Sequence, residues 1–293
     1  MRHSHCFVKP SRKVDADAFA VVMATGILGS GARLEGIAPL ADVLLACACL
    51  AWLVLVVVLR ARSVRSFALV AGTAVIGADF LLAGQGTLAL ALWSLAAAPW
   101  LAVWLTIRME AFGSLLTIVA TESLAVLAAA LDRHGDASLR LPALGLWALG
   151  LALYPLIAGR VVRSSLRARR FEPTLWIVMG ALAISTLAAA ELFLDRHALG
   201  VDVALATWSA ASTAIPFLVV TDLLARRWRY EVARWSSVFP LGMYGVASRV
   251  LGGADNLAGL RTIGTVFFGI ALAAWLVTAA GLARTSRTRT TTR

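Results

Sequence analysis

No stretch of this 293-residue sequence is polar enough, for long enough, to build a soluble domain. Charged residues make up 15% of it and hydrophobic ones 60%, beyond the apolar share of a soluble globular chain. The polar connections between apolar runs are short, so the function falls to the runs themselves or to the space among them. Cysteine is scarce: Cys6 stands near the start and Cys47 and Cys49 share one apolar run, which gives no disulfide framework. Only four histidines are present. No His pair has metal-ligand spacing, no paired-acid motif of the kind that holds Mg-diphosphate occurs, and Ser, His and Asp do not assemble into a nucleophilic set. A membrane-embedded enzyme is left without its reacting groups. His3, His5 and Cys6 are read as part of a terminal tail without a metal role; no metal and no other cofactor is expected. No small-residue cleavage site follows the first apolar run and nine more runs come after it, so no cleavable signal is expected.

What the chain does have is ten apolar runs, and a bilayer-crossing helix needs about 20 mostly apolar residues. They are Ala18 to Ser30, Leu40 to Leu59, Phe67 to Ala83, Leu88 to Ile107, Phe112 to Leu131, Leu141 to Val162, Thr174 to Leu194, Val203 to Leu224, Trp235 to Leu251 and Ile263 to Leu282. The first is short and extends back toward Asp15. The expected organisation is a cytoplasmic tail over 1–14, a ten-helix transmembrane unit over 15–283 and a basic cytoplasmic tail over 284–293.

The net charge of +11 is an orientation signal. With the N-terminus in the cytoplasm, all but six of the 27 Lys and Arg fall on that side; Arg33, Arg133, Arg140, Arg196, Arg249 and Arg261 are the exceptions. This bias fits ten crossings of the cell membrane with both termini cytoplasmic. It also accounts for the basic charge by topology and lipid headgroups, so the bilayer is the expected partner and nucleic acid is not.

Alternate runs differ in character. The even-numbered ones are rich in Leu, Ala and Val, hold Trp52, Trp93, Trp100, Trp104, Trp147, Trp208 and Trp275, and have no acidic residue well inside, as a lipid-facing shell requires. The odd-numbered ones carry Thr25, Gly26, Gly29, Gly72, Thr73, Gly77, Asp79, Thr117, Thr121, Glu122, Ser123, Gly180, Ser185, Thr186, Glu191, Gly242 and Gly245. Small residues suit tight helix packing. Intramembrane ionisable groups normally face a bundle interior or a watery cavity. Five helical hairpins in a ring, odd helices inward, would bring all of these residues along one central path, the architecture of a pore or transport pathway.

Two stretches carry a family resemblance. Phe19-Ala-Val-Val-Met-Ala-Thr-Gly-Ile27 resembles the opening helix of the tellurite-resistance/dicarboxylate transporter (TDT) family, which includes the bacterial tellurite resistance permease, fungal malate and sulfite transporters and plant slow anion channels. Trp235-Ser-Ser-Val-Phe-Pro-Leu-Gly-Met-Tyr244 is similar to that family's most recognisable stretch. Weaker similarity covers Ser66 to Leu81, Val119 to Leu131 and Glu172 to Ala190. One departure is Ala24, where fungal relatives have Gly. The resemblance implies an all-α integral membrane protein, ten helices in a quasi-fivefold ring of hairpins around a central pore, and a homo-trimer with one pore per subunit. It implies transport of small anions: a C4-dicarboxylate such as malate, a tellurite- or sulfite-type oxyanion, or passively chloride or nitrate. It also makes Phe239, before the bend at Pro240, the plug of the pore.

Proline removes a backbone donor and bends a helix, which aims the preceding ring across an axis. Phe239 is only four residues, about 6 Å along a helix, past Trp235, so a plug at mid-pore requires the ninth helix to begin nearer Glu231. The expected pore lining is Phe19, Thr25, Gly26, Thr73, Gly77, Thr121, Glu122, Ser123, Gly180, Thr186 and Gly242. Counting about 1.5 Å per residue from the cytoplasmic ends, Asp79, Arg249 and Glu191 lie about 20, 21 and 25 Å in, in the outer part of the bundle. They are candidates for ion pairs with one another. Glu122, about 15 Å in by the same count, is near midplane, where a carboxyl is costly as an ion and a candidate to carry a proton. Selectivity is expected from hydroxyls, helix-end dipoles and pore width, since no Lys or Arg stands at midplane.

Overall fold

The computed structural model describes residues 11–59, 67–106, 114–168, 172–193, 198–224, 232–254 and 257–290. The segments holding His3, His5 and Cys6 and the basic connections at Arg60–Arg65, Arg108, Arg169–Arg170 and Arg226–Arg229 lie outside the described residues. Ten α-helices occur among the described ones: α1 Ser11–Leu34, α2 Ala38–Leu59, α3 Phe67–Leu82, α4 Gly86–Thr106, α5 Leu115–His134, α6 Arg140–Ala168, α7 Trp176–Phe193, α8 Ala198–Leu224, α9 Trp235–Ala254 and α10 Ala258–Thr290. Single 3-10 turns, Pro173–Leu175 and Val232–Arg234, lead into α7 and α9.

The chain doubles back tightly after the first three odd helices, and the same local chemistry does it each time. Gly36, Gly84 and Gly135 take positive φ of 77°, 78° and 79°, a conformation open to glycine at no steric cost. Each glycine N–H donates three residues back, and the next residue's N–H five residues back: Ile37 to Ala32, Gln85 to Phe80 and Asp136 to Leu131, at 2.8, 2.9 and 3.0 Å. These are Schellman caps. They satisfy the carbonyls orphaned at the helix ends and turn α1, α3 and α5 into hairpins with α2, α4 and α6.

The odd helices form a closed ring: α1 touches α3, α3 touches α5, α5 touches α7, α7 touches α9, and α9 returns to α1. Each even helix packs outside on its own hairpin partner and also reaches the next hairpin through an indole N–H. Trp52 of α2 donates to Thr73 of α3 (2.8 Å), Trp100 of α4 to Thr121 of α5 (3.0 Å) and Trp147 of α6 to the Ser185 carbonyl of α7 (3.3 Å). Trp208 of α8 donates to Ser248 of α9 (2.8 Å), and Trp275 of α10 to Thr25 of α1 (3.0 Å), closing the circle. Indole suits this place because its body is apolar while its single donor needs a partner when buried.

Burial follows the two layers. In α5 and α7, 89% of the apolar span is buried, against 17–22% in α2, α4, α6, α8 and α10. Leu50, Leu105, Leu141, Phe217, Leu224 and Val277 project from the even helices, largely exposed, as a shell in contact with lipid tails demands. Among the described residues, seven helices are long and apolar enough to cross a membrane; α1 and α3 are apolar over the shorter Ala18–Leu34 and Phe67–Leu82. The remaining one, α9, carries Ser236, Ser237, Ser248 and Arg249. All three weaker spans belong to the inner ring, where neighbouring helices rather than lipid meet the polar groups. This is an all-α membrane fold.

Candidate functional site

One stripe of each ring helix faces the axis, spaced by alternating steps of three and four. On α1 it runs Ala20, Met23, Ile27, Ser30, Leu34; on α5, Val119, Ser123, Val126, Ala130; on α9, Ser236, Phe239, Met243, Val246, Val250. That spacing keeps one helix face toward one line. Two cavities lie along it. The proximal one, toward the start of the odd helices, measures about 260 Å³ and is bordered by Ala20, Met23, Val119, Ile177, Ser236 and Phe239, among others. The distal one, about 100 Å³, is bordered by residues of all five odd helices, including Ile27, Ala74, Ser123, Leu187 and Met243.

No residue borders both cavities. Met23, Val119 and Phe239 end the proximal one, and one turn further on Ile27, Ser123 and Met243 begin the distal one. Between them Met23, Val70, Val119, Ala183, Phe239 and Met243 belong to one buried apolar cluster, and Phe239 is 2% exposed. The axis is therefore interrupted by a buried apolar neck. The ninth helix begins at Trp235, preceded by the turn over Val232–Arg234, so Phe239 sits one turn into α9 and the neck lies toward the proximal end of that helix. Pro240 faces α7: a Cβ on Gly180 would come 2.9 Å from its Cγ. That glycine lets the two helices close in beside the neck.

Most residues expected to line the pore point elsewhere. The Thr25, Thr73 and Thr121 hydroxyls are taken by outer-helix indoles, and Thr186 meets Thr207 of α8 at 2.9 Å. Phe19 packs with Leu45, Ala48, Ala68 and Leu69 between α1, α2 and α3. Gly26, Gly77 and Gly242, like Gly180, are close-approach points: added methyls would press on Val75, Leu127 and Ile27. Glu122 points off the axis toward α6, where a Cβ on Gly150 would collide with it, and its Oε1 accepts a short hydrogen bond from Ser185 of α7. The physical reason is common to all. A buried polar group needs a partner, and in this ring partners stand on the flanks and outside, not in the neck. Of the expected lining, Ser123 borders a cavity, as does Phe239.

The outer charges form ion pairs, though not with one another. Asp79 pairs with Arg33 (3.4 Å), which also reaches Asp42 (2.9 Å); Glu191 pairs with Arg133 (3.2 Å); Arg249 pairs with Glu35 (3.3 Å). Asp79, Glu191 and Arg249 sit on three different helices, and each finds a nearer opposite charge on an adjacent ring member or hairpin. Arg33, Arg133 and Glu35, close to the caps, were missed as partners because charges at helix ends read as surface. Ser30 was missed too. The signal that could have found it is its place on the three-four stripe of α1.

A ring of five hairpins with a lined but interrupted axis defines a polytopic membrane protein built around a conduit. The chain belongs to the voltage-dependent anion channel (SLAC1) family, whose sequence profile matches residues 13–283, nearly the whole bundle. It is also similar to an uncharacterized membrane protein of Mycobacterium tuberculosis, present in two strains, with 34% identity over 143 residues that cover 44% of this chain and 73% of the relative.

Proposed function

We propose that this protein carries small anions across the cell membrane along the axis of the odd-helix ring, with Phe239 as the gate. The observation that carries the reading is the pair of axial cavities parted by an apolar neck at Phe239. A hydrophobic constriction stops ions by excluding water, and one mobile ring is enough to open it. On this reading residues 15–283 are a single transport unit between cytoplasmic tails over 1–14 and 284–293, and three chains associate, each with its own path. The basic connections face the cytoplasm, so the proximal cavity opens inward. The chain is not an enzyme.

Malate-like dicarboxylates and tellurite- or sulfite-type oxyanions are the substrates that the family resemblance brings; chloride and nitrate are the passive alternative. The off-axis position of Glu122 favours passive permeation, because a proton site coupled to an anion has to share its path. An anion panel in proteoliposomes, run with and without a pH gradient, tests substrate and coupling together. Anion flux that Phe239→Ala increases is expected; absence of flux for every anion would remove the reading.

A further inference from the structure

The distal cavity contains two hydroxyls that break the rule followed elsewhere in the bundle. Buried Thr and Ser residues here commonly return their proton to a carbonyl one turn back on their own helix. Thr73 bonds the Leu69 carbonyl, Thr121 that of Thr117, Thr186 that of Leu182 and Ser248 that of Tyr244, at 2.7–2.9 Å. Ser30 and Ser123 do not: both are buried, at 3% and 4% exposure, and neither Oγ has a hydrogen-bond partner among the described residues. Both border the same cavity. They reach it from α1 and α5, which are not neighbours in the ring but lie on either side of α3. Buried donors without partners are rare and call for an explanation.

The geometry points to a binding site for a monovalent, weakly hydrated anion in the distal cavity, held by the Ser30 and Ser123 hydroxyls. This deepens the proposed anion pathway and rests on it. The other lining groups at this depth, Ile27, Ala74, Val75, Val126, Met243 and Val246, are apolar. The charged groups stand at the rim: Arg133 pairs with Glu191 there, beside His134. Two O–H donors replace part of the hydration shell of a single charge. The cost of moving an ion out of water grows with the square of its charge, so a compact dianion such as sulfate loses about four times as much as a monoanion of its size. A C4-dicarboxylate has two separate carboxylates to desolvate and meets donors for one. Arg133, the arginine on the lining, is already paired with Glu191 and does not offset that. Nitrate- or halide-like ions therefore fit the site, whereas sulfate and C4-dicarboxylates do not. The rim arginine contributes to capture from solution rather than to selection.

The test uses the full chain with two readouts. In detergent, nitrate stabilises the folded protein by binding it, so melting temperature should rise with nitrate concentration and much less with sulfate or malate. Ser30→Ala with Ser123→Ala should abolish the rise, with affinity weakened about tenfold for each hydroxyl lost. Thr278→Ala, which removes a buried hydroxyl bonded to Ala274, should leave the rise intact. Without anion the double variant should melt no lower than the parent, because the deleted hydroxyls have no partner to lose. In proteoliposomes the same variant should lose its preference for nitrate over sulfate. A nitrate response unchanged in the double variant, an equal response to malate, or a lowered melting temperature without anion would overturn the site. Nitrate binding that the two serines control, in a protein that conducts no anion, would keep the site and sink the pathway.

Discussion

The axis-facing stripe of each odd helix and the flank of that same helix share a backbone and a depth, yet their chemistry is the reverse of what a watery pore suggests. The flanks hold Thr25, Thr73, Thr121, Ser185 and Glu122, all engaged with neighbouring helices. The stripe holds Met23, Ile27, Val119, Val126, Phe239, Met243 and Val246, with Ser30, Ser123 and Ser236 among its few polar points. Polarity here is glue for the ring. In lipid, where apolar surface gives helices no reason to associate, hydrogen bonds and close packing assemble them, and the path is left as the apolar remainder. On the proposed function, an apolar path lets a single side chain decide whether water and ions pass.

The sharpest way to break this contrast is at the neck. Phe239→Ala removes a ring from a buried apolar constriction, and water can then fill the space. Passive anion flux should rise on the order of tenfold or more. Liposome flux assays, with the melting temperature as a check on folding, measure it. Unchanged flux in a folded variant would move the gate elsewhere on the stripe.

Cysteine scanning reads the two surfaces directly. With Cys6, Cys47 and Cys49 replaced, cysteines at Ser30, Val126 and Val250 should react with water-soluble thiol reagents applied from the distal side. Those at Thr25, Thr73 and Thr121 should remain protected whether or not the neck is open. Equal labelling of both sets would mean that the ring helices are rotated from the arrangement described.

Much of the architecture was legible before any coordinates. Ten apolar runs and the even-odd contrast give the two-layer ring, because lipid exposure writes itself into a whole helix. Rotation within the inner helices was not legible from polarity alone. A threonine satisfied by an indole from another hairpin has the same sequence as one that faces water, and the partner Trp52 or Trp275 is 21 or 250 residues away. The three-four stripe through Met23, Ile27 and Ser30 carried the missing information; it was hidden because the eye goes to polar residues. Phe239 drew notice through its motif; the structure buries it at the border of the proximal cavity, and its part as a gate rests on the proposal above.

Removing one glue contact should cost less than opening the neck. Trp→Phe at Trp52, Trp100, Trp208 or Trp275 keeps the ring body and deletes the donor. Each is expected to destabilise the bundle by about 0.6–1.7 kcal/mol, the range for interhelical hydrogen bonds in membranes. Anion selectivity should stay as it was, since these groups touch no cavity. Unfolding in mild denaturing detergent, run beside the flux assay, separates the two effects. A selectivity change without a stability change at any of the four would place that contact on the path after all.

The smallest effect is expected at Glu122, the residue whose depth first suggested a proton carrier. It is fully buried, its Oε1 accepts from Ser185, and its surroundings are α6 and α7 rather than either cavity. Glutamine keeps that acceptor and the shape but cannot exchange a proton. Glu122→Gln should therefore fold with stability within about 1 kcal/mol of the parent, an ordinary size for a change that keeps a hydrogen bond. Downhill flux and its dependence on pH should be unaltered. Glu122→Ala is the contrasting case: it strands the Ser185 hydroxyl and leaves a hole against Gly150, so it should lower stability by about 2–3 kcal/mol while the permeating anions stay the same. If the Gln variant instead loses uphill accumulation driven by a proton gradient, proton movement runs beside the anion path through the flank. The contrast between glue and conduit would then fail at this one residue.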